Sequence, residues 1–257
     1  MDRARELARP YMEKEGVIGI YVVGSATRPF RDEQSDYDIE VVVEDEVYQS
    51  LPDEERHVFV IDEGPPRKVD HEFYLWPWSQ FEGLVGSTLD LYHYPYQHVV
   101  ILHDPDGRIA EVVERLAVLP QEIRQARMKV HYLEFLFGLA RAKRTFERGS
   151  ALSARLVIGK AVAALVKLLF LQRGSWPAMR HWSERELGEL GVEKAVIGLV
   201  AEILSEPERV EVKEAVERIQ RWLEEQGETF HKDYPVLIRW AYLTEEGKRA
   251  FRDWGGR

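Results

Sequence analysis

The sequence predicts an α+β protein: a small N-terminal mixed β-sheet with flanking helices, followed by a C-terminal helical bundle. Three observations lead there. Short β-branched and aromatic runs separated by turn residues fill the first 119 positions, the pattern of strands. From Leu119-Pro120 onward, apolar residues recur at helical spacing. The change of texture is abrupt, with no internal repeat or low-complexity linker, so the domains are expected at 1–119 and 120–257.

The elements follow in order. A helix is expected over Asp2–Lys14, then strands at Val17–Val23, Tyr37–Val43, His57–Ile61, Lys68–Leu75 and Gln97–Leu102, with a second helix after Trp78. Beyond Pro120, helices are expected at Gln121–Arg148 and Leu152–Arg173, broken by Arg148-Gly149-Ser150, and again at Ser183–Leu204 and Val210–Gln226. The most apolar run, Leu156–Leu171, carries Lys160 and Lys167 and falls short of the roughly 20 uncharged residues a membrane span needs. It reads as a core helix. The N-terminal stretch is charged throughout and lacks the apolar core of a signal peptide, so a cytoplasmic location is expected.

Composition removes several chemistries. The 257 residues include no cysteine, which excludes disulfide scaffolds, thiolate metal sites, iron–sulfur ligation and thiol nucleophiles. With 35 Lys+Arg against 45 Asp+Glu the formal net charge is −10, which argues against stable nucleic-acid binding, because affinity for a phosphate backbone needs clustered cations.

The chemistry concentrates in two stretches: Val22-Val23-Gly24-Ser25-Ala26-Thr27-Arg28, and Ser35-Asp36-Tyr37-Asp38-Ile39-Glu40 ahead of Val41-Val42-Val43. A buried strand ends in Gly-Ser, and a second strand opens with carboxylates at alternate positions. Residues i and i+2 of a strand share a face, so Asp36 and Asp38 point into one space. Two such charges resist ionising together unless a cation lies between them, and hard divalent metals prefer oxygen ligands. Gly24 permits close backbone approach, and Ser25 offers a hydroxyl and an amide to a phosphate. Arg67-Lys68-Val69-Asp70-His71-Glu72 supplies a third acid, Asp70, with Glu72 expected on the same face. Three acids around Mg²⁺ suit phosphoryl or nucleotidyl transfer by positioning and charge neutralisation.

Gly-Ser, a ten-residue gap, Asp-x-Asp and a later acid on a strand resemble the DNA polymerase β-like nucleotidyltransferase superfamily, and most nearly its kanamycin (aminoglycoside) nucleotidyltransferase type. The segments that carry the resemblance are Gly24-Ser25 with Ser35–Asp38, Lys68-Val69-Asp70, and Leu102–Ile109, which looks like the strand-turn-helix passage into the bundle. The resemblance implies a Mg²⁺-dependent enzyme, with two ions, that moves a nucleoside monophosphate from ATP or another nucleoside triphosphate to a hydroxyl. It implies metal binding by Asp36, Asp38 and Asp70, and phosphate contacts from Gly24, Ser25 and Arg28. The acceptor implied is a small polar molecule, and a homodimer is compatible, since related active sites can sit at dimer interfaces. Asp38-Ile39-Glu40 fits the acid pattern as well. Asp36/Asp38 is preferred because Ser35 directly precedes it. A general base on the first bundle helix is also implied. Glu134 is the acid in that helix's central turns, whereas an ungapped reading puts the base nearer Gly138. The alternative function is a nucleotide-binding or antitoxin-like regulatory module.

Other motifs carry less. His71-Glu72 lacks the second His of a zinc-protease helix. The aromatic runs Phe73–Trp78 and Tyr92–Tyr96 read as core or cleft lining. Arg124, Arg127 and Lys129 are expected on a solvated helix face.

Overall fold

The computed structural model describes residues 1–256, which form two compact units, 1–118 and 119–256. The first unit is built on five strands: β1 Val17–Val23, β2 Tyr37–Val43, β3 His57–Asp62, β4 Lys68–Pro77 and β5 Val100–His103, in the order β3-β4-β2-β1-β5. The sheet is mixed. β2 runs parallel to β4, and the other neighbours are antiparallel.

Alternation along β2 divides two cores. Ile39, Val41 and Val43 pack with Phe73, Leu75, Ile20 and Val22 against Ala4 and Ala8 of helix α1, Asp2–Met12. Val42 faces the other way, with Tyr21, Val23 and Trp76, toward Ile109, Val112 and Leu116 of a helix at Arg108–Ala117. Gly19 lets that helix approach, since a Cβ there would stand 2.3 Å from Ile109 Cγ1. Short helices α2 Asp45–Ser50, α3 Asp53–Arg56 and α4 Trp78–Gly83 join the strands, making the Arg108–Ala117 helix α5. The expected start of the last strand at Gln97 is corrected: Pro95 and its neighbours wind into a 3-10 turn, Tyr94–His98, and β5 begins at Val100.

The second unit is all helical. Helices α6 Gln121–Glu147 and α7 Ala151–Gln172 form its centre. Their crossing is close, because a Cβ on Gly138 would lie 2.5 Å from Ala161 Cβ. The single helix expected over Ser183–Leu204 is two, α8 Ser183–Glu189 and α9 Lys194–Ser205. Gly191, at φ 70°, takes the left-handed conformation that ends a helix, and Val192 N–H turns back to the Leu187 carbonyl. α10 spans Val212–Glu225, and α11 Tyr234–Leu243 and α12 Glu245–Trp254 complete the unit.

The solvated face expected for Arg124, Arg127 and Lys129 is also corrected. Arg127 is 1% exposed and stacks between Trp176 and Trp254. Arg124 ties the Leu171 and Gln172 carbonyls to Glu228, and Lys129 lies over the Trp240 ring. Aromatic rings and carbonyls accept guanidinium and ammonium groups well, so basic residues here serve the interior. Among the described residues, no helix is long and apolar enough to cross a membrane.

Candidate active site

β1 ends beside the start of β2, with Val23 opposite Asp38. Gly24 then leaves the sheet at φ 73°, ψ −157° and leads into a 3-10 turn, Ser25–Thr27, which the Thr27 hydroxyl ties to the Gly24 carbonyl at 2.9 Å. A side chain at position 24 has no room: its Cβ would lie 1.7 Å from Asp38 Oδ2. Glycine is therefore demanded twice here, by backbone angle and by the carboxylate against it. Ser25 is buried in this turn.

The parallel pairing of β2 and β4 sets Asp38 directly opposite Glu72 and Glu40 opposite Tyr74. Opposed residues on neighbouring strands share a face, so Asp38 and Glu72 meet, with Asp36 at the mouth of β2. Asp38 is pushed up to about 8, first by burial, then by the charges of Asp36 and Glu72, a hydrogen bond with Glu72, and the Glu40 charge. A hydrogen bond between two carboxyl groups requires one of them to carry the proton. Burial also raises Asp36, with Glu72 adding to the effect and Lys68 opposing it.

Asp70 stands apart. Between β3 and β4 the register shifts, with Val60 opposite His71 and Ile61 opposite Val69, so Asp70 has no partner on β3. Such a bulge interrupts the two-residue alternation, and the i, i+2 argument that joined Asp70 to Glu72 fails across it. The Asp70 carboxylate instead meets Arg3 at 2.6 Å and His71 Nδ1 at 2.8 Å. The His71 ring and then Arg3 hold it below the ordinary carboxylate range. The acid beside Asp36 and Asp38 is thus Glu72, which the alternation pattern left second to Asp70. Its signal was long-range: only the strand pairing identifies it.

Glu40 is enclosed. Its Oε2 accepts from Tyr21 Oη at 2.5 Å, Trp76 Nε1 at 2.8 Å and Tyr96 Oη at 3.3 Å. Burial raises its pKa in spite of these three donors. Of the two carboxylate pairs open in the sequence, Asp36/Asp38 keeps its oxygens near a second acid, whereas Glu40 is a buried acceptor for an aromatic cage. Arg28 is buried as well, its guanidinium lying over the Tyr94 ring at 4.2 Å and donating to the Tyr94 carbonyl. It fastens the Gly24 loop to the 94–98 turn.

Within the helical unit, Glu134 accepts from the Gly256 N–H at 2.5 Å and meets His131 Nδ1 at 3.2 Å. These contacts, with Lys160, outweigh its desolvation and keep it ionised below the usual range. The close approach of Gly138 to Ala161 leaves no space for an acid at that position.

The donor set suits a hard cation. Asp36, Asp38 and Glu72 are oxygen ligands, partly desolvated, whose mutual repulsion a divalent ion would relieve. Among the described residues, no three Asp, Glu or His side chains already converge as a metal cage; Glu72 Oε2 also meets His57 Nε2 at 3.1 Å.

Comparison with known proteins agrees with the fold. Residues 5–94 match the family model described as nucleotidyltransferase domain, and residues 93–183 match a domain of unknown function (DUF4037). The first match supports placing the sheet unit in the nucleotidyltransferase superfamily and nucleotidyl transfer as its general chemistry. A solved nucleotidyltransferase-like protein from Exiguobacterium sibiricum 255-15 is similar at 14% identity, covering 97% of this chain and 77% of that one, with a TM-score of 0.47. Among curated proteins, none matches the chain.

Proposed function

We propose that the chain is a Mg²⁺-dependent nucleotidyltransferase that moves a nucleoside monophosphate, AMP from ATP, to a hydroxyl of a small polar acceptor and releases pyrophosphate. The observation that carries this reading is the Asp36–Asp38–Glu72 cluster packed against Gly24. Asp36, Asp38 and Glu72 would hold the metal; Asp70, tied to Arg3 and His71, would lie outside this set. Bound there, Mg²⁺ would supply charge neutralisation for the triphosphate and a Lewis acid at its phosphoryl oxygens. The chain's own part is positional. Gly24 brings backbone to the phosphates without a side chain in the way, and Ser25 offers its hydroxyl. With a cation bound and Asp38 ionised, its carboxylate could take the acceptor's proton. Glu40 keeps β2, β4 and the 94–98 turn in one arrangement beneath them.

The kanamycin-type acceptor is the nearest analogy, and an acidic chain suits a cationic acceptor. The second reading, a nucleotide-binding or antitoxin-like regulatory module, is favoured by one observation. Gly138 cannot carry the base that antibiotic-modifying relatives place on the first bundle helix, and Glu134 is bonded to His131 and Gly256. Pyrophosphate release separates the two. Each of four nucleoside triphosphates would be incubated with Mg²⁺ and a panel of aminoglycosides, lincosamides and candidate protein acceptors, beside Asp38→Asn. Acceptor-dependent release that vanishes in the variant supports transfer. Nucleotide binding without release on any acceptor supports the regulatory reading.

A further inference from the structure

The carboxylate cluster has one contact from a strand that carries none of its acids. In the sheet, β4 lies between β2 and β3, so Glu72 has Asp38 on one side and β3 on the other. The pairing sets Phe59 opposite Glu72 and His57 opposite Tyr74. His57 therefore stands diagonally from Glu72 on the same face, within reach of a long side chain, and its Nε2 lies 3.1 Å from Glu72 Oε2. The imidazole is itself located by its neighbours. It stands edge-on to the Tyr74 ring, with centroids 5.4 Å apart and planes at 65°, and Phe59 lies beside it at 6.0 Å. Tyr74 in turn packs on Trp76, whose indole N–H donates to Glu40.

We infer that His57 is a positioning residue for the metal site, its Nε2–H holding the Glu72 carboxylate toward Asp38. This rests on the metal-site reading proposed above. The Glu72 side chain is 33% exposed, so without a partner it is free to turn into solvent, and a carboxylate that turns away is lost to the cation. An ionised carboxylate only accepts hydrogen bonds, so the contact requires the hydrogen on His57 Nε2. His57 reaches Glu72 from the β3 side and leaves the β2 side open to a cation shared with Asp36 and Asp38. A cation lodged there would part Asp38 from Glu72 and end the hydrogen bond between them, whereas the His57 contact would persist. Partners that orient ligating side chains in this way typically contribute about 10–100-fold in metal affinity, and the partial exposure of this pair places His57 at the low end. A surface ion pair with no further role would leave metal affinity untouched.

Mn²⁺ titrated into the full chain, followed by the electron paramagnetic resonance of the free ion, tests this without nucleotide, acceptor or turnover. His57→Phe keeps a ring against Tyr74 and removes the donor. It should weaken Mn²⁺ binding about tenfold, with the metal-free melting temperature unchanged. His57→Gln, whose side-chain amide can donate from a similar place, should recover most of that loss. Mn²⁺ affinity in His57→Phe equal to that of the parent overturns the inference. So does His57→Gln binding as weakly as His57→Phe, since the effect would then belong to the ring and not to its N–H. Asp38→Asn is the control for the site itself. A parent chain that binds no Mn²⁺, or an Asp38→Asn variant that binds it as tightly as the parent, overturns the metal-site reading and the role of His57 with it.

Discussion

Asp38 and Glu72 face each other across parallel strands, while Asp70, two residues from Glu72, is neutralised by Arg3 and His71. The two acids of β4 therefore separate by substitution. Glu72→Gln and Asp38→Asn should each lower pyrophosphate release at least about a hundredfold. Asp70→Asn should leave it within a few-fold and cost no more than about 1 kcal/mol, the range of exposed ion pairs; steady-state rates and denaturant melts of the three variants read both effects. Gly24→Ala would place a Cβ into Asp38 Oδ2 at a positive φ. We expect a loss of about 1–3 kcal/mol of stability together with loss of transfer. Gly24, Ser25, Asp36 and Asp38 were legible in the sequence because they lie within one hairpin. Glu72 was harder, since its role depends on which residue of a parallel neighbour stands opposite Asp38.

At the scale of elements, strands β1 and β2 have the bounds their β-branched runs predict, and α6 and α7 match theirs to within one residue at each end. The misses share a cause, a short-range event inside a longer pattern. A one-residue bulge turned Asp70 away, Gly191 cut one predicted helix in two, and α11 and α12 follow a polar, charged stretch, residues 226–233, without a long apolar period. Arg127 misled for another reason: a basic residue on a helix looks solvated until the tryptophans 49 and 127 residues later in the chain close on it (176 − 127 and 254 − 127). The α6–α7 crossing supplies an element-level prediction. Gly138→Ala should destabilise by about 1–3 kcal/mol through overpacking, and Ala161→Gly in the same chain should recover part of it. Thermal unfolding of the single and double variants measures the coupling.

The two units carry buried titratable groups with opposite consequences for stability. Asp38 has a folded pKa of about 8 against an ordinary aspartate value of 3.8, so through that window the native state holds a proton the unfolded chain has released. Stability then falls as pH rises. His131 is fully buried, and desolvation lowers it to about 4 from 6.5. There the unfolded chain binds the extra proton, and stability falls as pH drops from 6.5 toward 4. Between 4 and 6.5 the two slopes oppose, and above 6.5 the Asp38 slope is unmasked. Melting temperatures of the metal-free chain should decline from pH 6.5 to 8. Asp38→Asn should flatten that limb alone, and His131→Gln the acid limb alone. Whole-molecule class, a sheet unit followed by helices, was legible from the change of texture near Pro120. Asp38 was legible as a site residue, but the burial that shifts it was not, nor was that of His131, because burial is a property of the finished fold.

The pairing of β2 with β4 has one more consequence. Asp38 and Glu72 owe their meeting to backbone register, while Ile39, Val41, Phe73 and Leu75 occupy the reverse side of the same strands under α1. Chemistry and packing are thereby printed on opposite pages of one leaf. Substitutions among the α1-facing residues can trade volume and cost stability without moving a carboxylate, so long as the ladder holds. An insertion of one residue in either strand would turn the leaf over and bury the acids at a stroke.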